Sequence, residues 1–156
     1  MMTKEEIIKE VQKRFKGLVV DNNWGEDGLF YNPENILPKG VYLLTFKEKD
    51  GPNDKASHVD REGIFRVNIG ISNRAFEKLF GKRPSRPKAG QIIEMDYNFT
   101  EVNKIMPHPV YGWMSWIGVL NPDKKTFEKL LPLIEESYLL AKKKYEKKIA
   151  QRLMTQ

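Results

Sequence analysis

The stretch Asp60-Arg61-Glu62-Gly63-Ile64-Phe65-Arg66-Val67-Asn68-Ile69-Gly70 decides the fold. Its even-numbered positions bring Arg66 and Asn68 to one face of an extended chain. The odd-numbered face is apolar and consists of Phe65, Val67, Ile69 and then Ile71. A period of two is typical of a strand with one buried face. We therefore predict that this strand, with Asp60 and Arg61 leading into it, carries both core residues and part of a site.

The composition of the chain excludes several classes of protein and of site. It has 156 residues, 40% of them hydrophobic, which predicts one folded domain over residues 1–156. The absence of cysteine excludes disulfides, thiolate zinc sites and cysteine nucleophiles. With two histidines, His58 and His108, we expect no metal site and no cofactor. No apolar run is long enough to span a membrane and the first residues are charged, so we expect a cytoplasmic protein that does not contact membranes.

The apolar pattern along the chain predicts an α+β fold. Thr3 and Glu6 form a capping box at the start of a helix over residues 3–16, Ser72 caps a short middle helix, and a long helix follows residues 121–123. Strands are predicted at residues 18–24, 29–31, 41–47, 60–70, 91–99 and 110–120. Short connections between consecutive strands favour a single antiparallel sheet backed by the three helices.

Three local features of these elements are predicted from the same pattern. In the first strand, Leu18, Val20 and Trp24 share a face. In the strand at 41–47, the predicted shared face is that of Tyr42, Leu44 and Phe46. In the last helix, Pro132 should kink the helix or split off its first turn, and the end from about residue 142 should project from the body.

Positive charge is concentrated in two segments of a chain whose net charge is +6. Residues 82–88 carry four cations and no acid, and residues 142–152 carry six cations and one acid. Such segments attract phosphate, although basic runs are also common on solvated surfaces. The candidate nucleic-acid-binding residues are Lys82, Arg83, Arg86, Lys88, Lys142, Lys143 and Lys147.

Two parts of the sequence resemble known families. The segment His108-Pro109-Val110-Tyr111, with Trp116 and the later Ser137-Tyr138 pair, resembles the C-terminal half of MmcQ/YjbR-like proteins. The stretch from Asp60 to Gly70 resembles an uncharacterised bacterial domain family allied to that fold. The resemblance implies an antiparallel sheet backed by helices and a DNA-binding role.

The candidate ligand-binding residues are Arg61, Arg66, Asn68, His108, Tyr111 and Trp113. Arginine and amide side chains on one strand face suit a phosphate or carboxylate, but a cross-strand ion pair is the alternative. His108, held between two prolines, could act as a base or ligand, or it could bond the backbone and pack a turn.

We favour a non-enzymatic binding module for nucleic acid and assign no catalytic residue. The alternative is a pocket for a small anionic ligand, or an enzyme, built on Arg66, Asn68 and His108. A third hypothesis is that the last helix docks a protein partner. The sequence leaves the oligomeric state open.

Overall fold

A six-stranded antiparallel sheet organises the part of the chain that the structure, a computed structural model, describes: residues 1–23 and 25–155. In spatial order the strands run β1-β2-β3-β4-β6-β5. The strands are β1 Leu18–Asn23, β2 Glu26–Tyr31, β3 Val41–Lys47, β4 Arg66–Gly70, β5 Met106–Pro107 and β6 Trp116–Leu120. The helices are α1 Lys4–Arg14, α2 Asn73–Phe80 and α3 Lys124–Met154. The predicted fold, an antiparallel sheet with N-terminal, short middle and long C-terminal helices, is confirmed.

One face of the sheet forms the main hydrophobic core. Val67 and Ile69 of β4 are buried there, as are Ile117 and Val119 of β6. The helices cover this face with a second set of buried residues, which comprises Ile7, Val11, Phe76, Phe127, Leu130 and Ile134. The alternation predicted for the stretch at residues 60–70 is therefore confirmed for the residues within β4, although the strand itself begins only at Arg66.

Side-chain caps fix the starts of the helices. The Thr3 hydroxyl accepts the Glu6 N–H at 3.1 Å and the Glu6 carboxylate accepts the Thr3 N–H at 3.0 Å, which completes the predicted capping box. Ser72 caps α2 through the N–H of Ala75. Gly81 ends that helix with a φ of 84°, a conformation that glycine adopts readily.

A β-bulge in β3 changes which of its residues share a face. Leu29 of β2 pairs with Leu44, but the next residue, Phe30, pairs with Tyr42, so Leu43 is an extra residue. An extra residue shifts the alternation by one position. The prediction that Tyr42 lies with Leu44 and Phe46 is therefore wrong: Tyr42 lies on the face opposite the helices, where Thr45 also lies.

The strands predicted at 110–120 and 91–99 differ most from the structure. The strand predicted at 110–120 begins only at Trp116, because a short 3₁₀ turn at Gly112–Met114 and a left-handed Ser115 (φ 66°) precede it. The described backbone at 91–99 contains no strand, and the edge strand is instead the short Met106–Pro107. Trp24, predicted to share a face with Leu18, lies outside the described residues.

The last helix runs through Pro132 as a single element, so the predicted split is absent from it. Two residues of its C-terminal part, beyond residue 142, contact the body. Tyr145 is buried against Tyr31, with ring centroids 5.0 Å apart, and Arg152 donates to the carbonyl oxygen of Ile36 at 3.1 Å. Among the described residues, no helix is long and apolar enough to cross a membrane.

Candidate ligand-binding site

A buried arginine lies at the centre of the sheet face opposite the helices. Arg66 is 2% exposed, and its Nη1 and Nη2 atoms both donate to the carboxylate of Asp54. Nη1 also donates to the Ser57 hydroxyl at 2.9 Å, and Nε donates to the Asn68 side-chain oxygen at 2.6 Å. A bidentate arginine–carboxylate pair combines charge with fixed geometry. The Arg66 guanidinium is thus committed to partners within the protein.

Neighbouring elements make room for this arginine and present its partner. Gly118 of β6 lies beside β4, and a Cβ there would stand 3.0 Å from Cδ of Arg66. Asp54 lies at the end of a tight turn that starts at Gly51, with reciprocal backbone hydrogen bonds of 3.0 and 3.2 Å. The loop between β3 and β4 therefore folds over the sheet and holds the carboxylate above β4.

His108 closes one side of the Arg66–Asp54 pair. Its Nδ1 accepts the backbone N–H groups of Val110 and Tyr111 at 3.1 and 3.0 Å, and its Nε2 lies 3.0 Å from Nη2 of Arg66. Burial lowers the pKa of His108 well below its ordinary value, and the positive charges of Arg66 and Lys47 lower it further. The ring is therefore neutral at physiological pH and serves to hold the turn after β5.

A second acid and base extend the network toward β2. The Nζ atom of Lys47 lies 3.8 Å from the Glu26 carboxylate and 3.9 Å from that of Asp54. Burial raises the pKa of Glu26 above its ordinary value, and the charges of Lys47 and Arg66 only partly oppose this. Glu26 is thus a partly desolvated carboxyl group whose cationic neighbour is Lys47.

A pocket of about 380 Å³ opens above this network. We call it the acidic pocket, because its charged lining groups are the carboxylates of Glu26 and Asp54. The other residues that line it are Asn23, Phe30, Tyr42, Thr45, Asn68, His108, Tyr111, Met114 and Trp116. Its size is in the range of small-molecule sites, and it combines apolar walls with a few polar groups, as such sites do.

An aromatic shelf, formed by Tyr42 and Trp116, makes one wall of the acidic pocket. The two ring centroids are 5.6 Å apart, and the Trp116 ring lies over Gly70, where a Cβ would approach it to 3.0 Å. Tyr42 remains 46% exposed although it stands on a central strand. An exposed aromatic surface next to buried polar groups is suited to stacking a planar ring.

The structure brings together only part of the predicted ligand site. Arg66, Asn68, His108 and Tyr111 meet in or beside the acidic pocket. Arg61 does not join them, since its guanidinium donates to the carbonyl oxygens of Ser57, His58 and Thr100. Trp113 is also outside the residues that line the pocket, and the Arg86 guanidinium stacks on its ring at 4.8 Å.

Sequence reasoning missed Asp54, Glu26 and Tyr42 as site residues. Asp54 lies in a polar loop and Glu26 lies between the strands predicted at 18–24 and 29–31, and neither position has a motif. Tyr42 was missed because the bulge at Leu43 moves it to the face opposite the one that the sequence alternation predicts. The sequence signal that could have found Asp54 is Arg66, an arginine within an apolar strand. A buried charge of this kind requires an acidic partner from elsewhere in the chain.

The candidate nucleic-acid residues lie on the surface. Lys82, Arg86 and Lys88 are exposed in the loop after α2, while Arg83 is half-buried with Nε 3.8 Å from the Glu77 carboxylate. On α3, Lys143 and Lys147 are exposed, and Lys142 stacks on the Tyr138 ring at 5.4 Å. Among the described residues, no group of three or more His, Asp or Glu side chains is placed to hold a metal ion.

We predict that His108 makes stability fall in mild acid. The unfolded chain protonates a histidine near pH 6.5, whereas the folded chain holds His108 neutral, so the free energy of unfolding should fall as pH drops below about 6.5. The slope from one such group is at most about 1.4 kcal/mol per pH unit. His108→Asn, whose oxygen can still accept the two backbone N–H groups, should flatten this dependence in urea unfolding between pH of about 7.5 and 5.5.

The matched control is His58→Asn. His58 is exposed and has a φ of 50°, which asparagine tolerates. This variant should keep the acid sensitivity of the wild type. An equally steep decline in the His108→Asn variant would contradict the assignment.

Comparison with protein families assigns the chain to a family. Residues 2–150 match the family of unknown function DUF6194, and the chain belongs to that family. No curated protein and no solved structure matches it. The family match covers the sheet, the acidic pocket and nearly all of α3, and it does not connect the chain to MmcQ/YjbR-like proteins.

Proposed function

We propose that this protein is a binding module for a small molecule whose planar ring carries hydrogen-bond donors and is itself neutral or positively charged. The observation that carries the proposal is a desolvated Arg66–Asp54–His108 network beneath an open pocket with an aromatic wall. Burying charged groups costs free energy that an apolar core would not require. Groups with shifted pKa values, as His108 and Glu26 have here, concentrate at functional sites.

The polarity of the lining determines the class of ligand. Arg66 has its donors directed at Asp54, Ser57 and Asn68, so it offers little to an anion. Glu26 and Asp54 instead present carboxylate oxygens, with side chains 31% and 15% exposed. Amino and ring N–H groups would find acceptors there, and the aromatic rings favour a cation through their negative faces. The small anionic ligand that the sequence predicts at Arg66 is thus disfavoured in the acidic pocket.

A ligand screen with two matched sets of compounds tests the proposal. One set consists of planar nitrogen heterocycles and aromatic amines, and the other of aromatic carboxylates of the same size. We expect members of the first set to raise the melting temperature and to bind in calorimetry, and Glu26→Gln to weaken the positively charged ones. Preferential binding of the carboxylates, or binding of the positively charged compounds that Glu26→Gln leaves unchanged, would contradict it.

Nucleic-acid binding is a second candidate, favoured by the exposed cations of the loop at 82–88 and of α3. Fluorescence anisotropy with labelled single- and double-stranded DNA, at low and near-physiological salt, tests it. Reversing the charges of Lys82, Arg83, Arg86 and Lys88 should weaken binding and flatten its salt dependence, because each lost phosphate contact reduces counterion release. A quadruple variant that binds like the wild type would exclude this loop as the contact surface.

A further inference from the structure

A second cavity adjoins the acidic pocket on the far side of the aromatic shelf. It has a volume of about 480 Å³ and shares with the acidic pocket the residues Asn23, Phe30, Tyr42, Met114 and Trp116. Both cavities are therefore open to the same two rings, Tyr42 and Trp116. A ligand seated on the shelf can reach both of them.

The chemistry of this second cavity is the reverse of that of the acidic pocket. Its charged lining residues are Lys39, Lys144 and Lys148, and no Asp or Glu is among the described residues that line it. We call it the lysine groove. Lys144 and Lys148 are exposed and one helical turn apart on α3. Ala141 of the same helix is buried and lines the groove together with these two lysines, so the three residues share one face of α3.

The register of the sheet sets the distance between the two ends. Asn68, in the acidic pocket, is two residues from Gly70, and Gly70 and Ile71 line the lysine groove. At about 3.3 Å per residue, Asn68 and the start of the lysine groove are roughly 7–10 Å apart along β4. The shelf lies between the two cavities, since Tyr42 and Trp116 line both of them. One ring and a short polar spacer would cover this distance.

We propose that the ligand of this site is a mononucleotide. The inference rests on the proposed function and deepens it. The base stacks on Tyr42 and Trp116, with its N–H groups directed to the carboxylates of Glu26 and Asp54. The phosphate lies in the lysine groove, where Lys144 and Lys148 supply ammonium donors. One molecule with a donor-bearing ring and an anionic tail then occupies both cavities. Its ring meets the acceptors of the acidic pocket, and its tail meets the donors of the lysine groove.

Calorimetric titration with nucleosides and with their 5′-monophosphates tests this assignment at near-physiological salt. We expect the monophosphates that bind to do so at least ten times more tightly than the parent nucleosides. Lys144→Glu/Lys148→Glu should remove most of that difference while leaving the affinity for the nucleoside within about two-fold. Both lysines are on the surface, so the double variant should fold like the wild type.

The matched control is Lys125→Glu/Lys129→Glu. These two lysines are exposed on the same helix with the same spacing, and they do not line the groove. This control should retain the phosphate preference, although its net charge changes by the same amount. Equal losses in the two double variants, or monophosphates that bind no better than nucleosides, would overturn the inference. If other planar amines bind and no nucleoside or nucleotide does, the mononucleotide assignment fails and the proposed function stands.

Discussion

Asp54→Asn should reduce the free energy of unfolding by about 3–5 kcal/mol, the range observed when one partner of a buried ion pair is removed. Arg66 is 2% exposed, and Asp54 supplies its carboxylate partner. An amide of the same shape leaves the guanidinium charge uncompensated in a place that water reaches poorly. Urea unfolding followed by tryptophan fluorescence measures the loss.

Two variants separate the loss of charge pairing from a general effect of substitution. Asp96→Asn, at an exposed position, should change stability by less than about 0.5 kcal/mol. Asp54→Leu combined with Arg66→Met should recover a large part of the stability, because apolar replacement of a buried pair is often close to neutral. If Asp54→Asn alone cost no more than Asp96→Asn, the pair would not be desolvated as the structure indicates.

Trp116→Ala should weaken binding of a planar ligand by about 1–3 kcal/mol, or roughly 5- to 150-fold, which is the contribution of stacking on one aromatic side chain. The indole forms the shelf together with Tyr42 and lies against the backbone of Gly70. Calorimetry with the tightest-binding compound of the heterocycle screen measures the effect.

Two other substitutions show whether that loss is specific to stacking. Trp116→Phe retains an aromatic face and should recover most of the affinity. Trp113→Ala removes an indole that lies outside the residues lining the acidic pocket, and it should leave the affinity within about two-fold. A greater loss from Trp113→Ala than from Trp116→Ala would place the ligand elsewhere.

The fold was predictable because its signals are local. The Thr3–Glu6 capping box, the Ser72 cap and the alternation around Val67 each depend on residues close together in sequence. The bulge at Leu43 was not predictable, since an extra residue in a strand has no signature in an unbroken apolar run. That single residue decides that Tyr42 faces the site.

The site was only half predictable for a related reason. Arg66 and Asn68 were found because they interrupt an apolar strand, and His108 because two prolines flank it. Their partners are distant: Asp54 is 12 residues from Arg66, and His108 is 42 residues from it. A side chain that pairs across loops is identified by tertiary structure. The sequence left open whether Arg66 binds an anionic ligand or forms an ion pair within the chain, and the structure pairs it with Asp54.

The differences in role between the candidate residues follow from burial. Arg66 and His108 are buried and position the Asp54 carboxylate, whereas Glu26, Tyr42 and Trp116 line the space that a ligand would enter. Variants of the buried residues Arg66 and His108 should change stability more than affinity. Variants of Glu26, Tyr42 and Trp116 should change affinity while leaving stability nearly constant, and this division separates a binding site from a merely structural network.

Mapping a bound heterocycle by nuclear magnetic resonance tests the central claim most directly. In a titration of the ¹⁵N-labelled protein with the tightest-binding compound of the screen, the indole N–H of Trp116, assigned with the Trp116→Phe variant, should shift most among the tryptophan signals. Backbone signals of Glu26, Tyr42 and Asn68 should shift with it, and those of the loop at 82–88 should not. Shifts confined to that loop or to the outer surface of α3, with Trp116 unchanged, would contradict a ligand site on this face of the sheet.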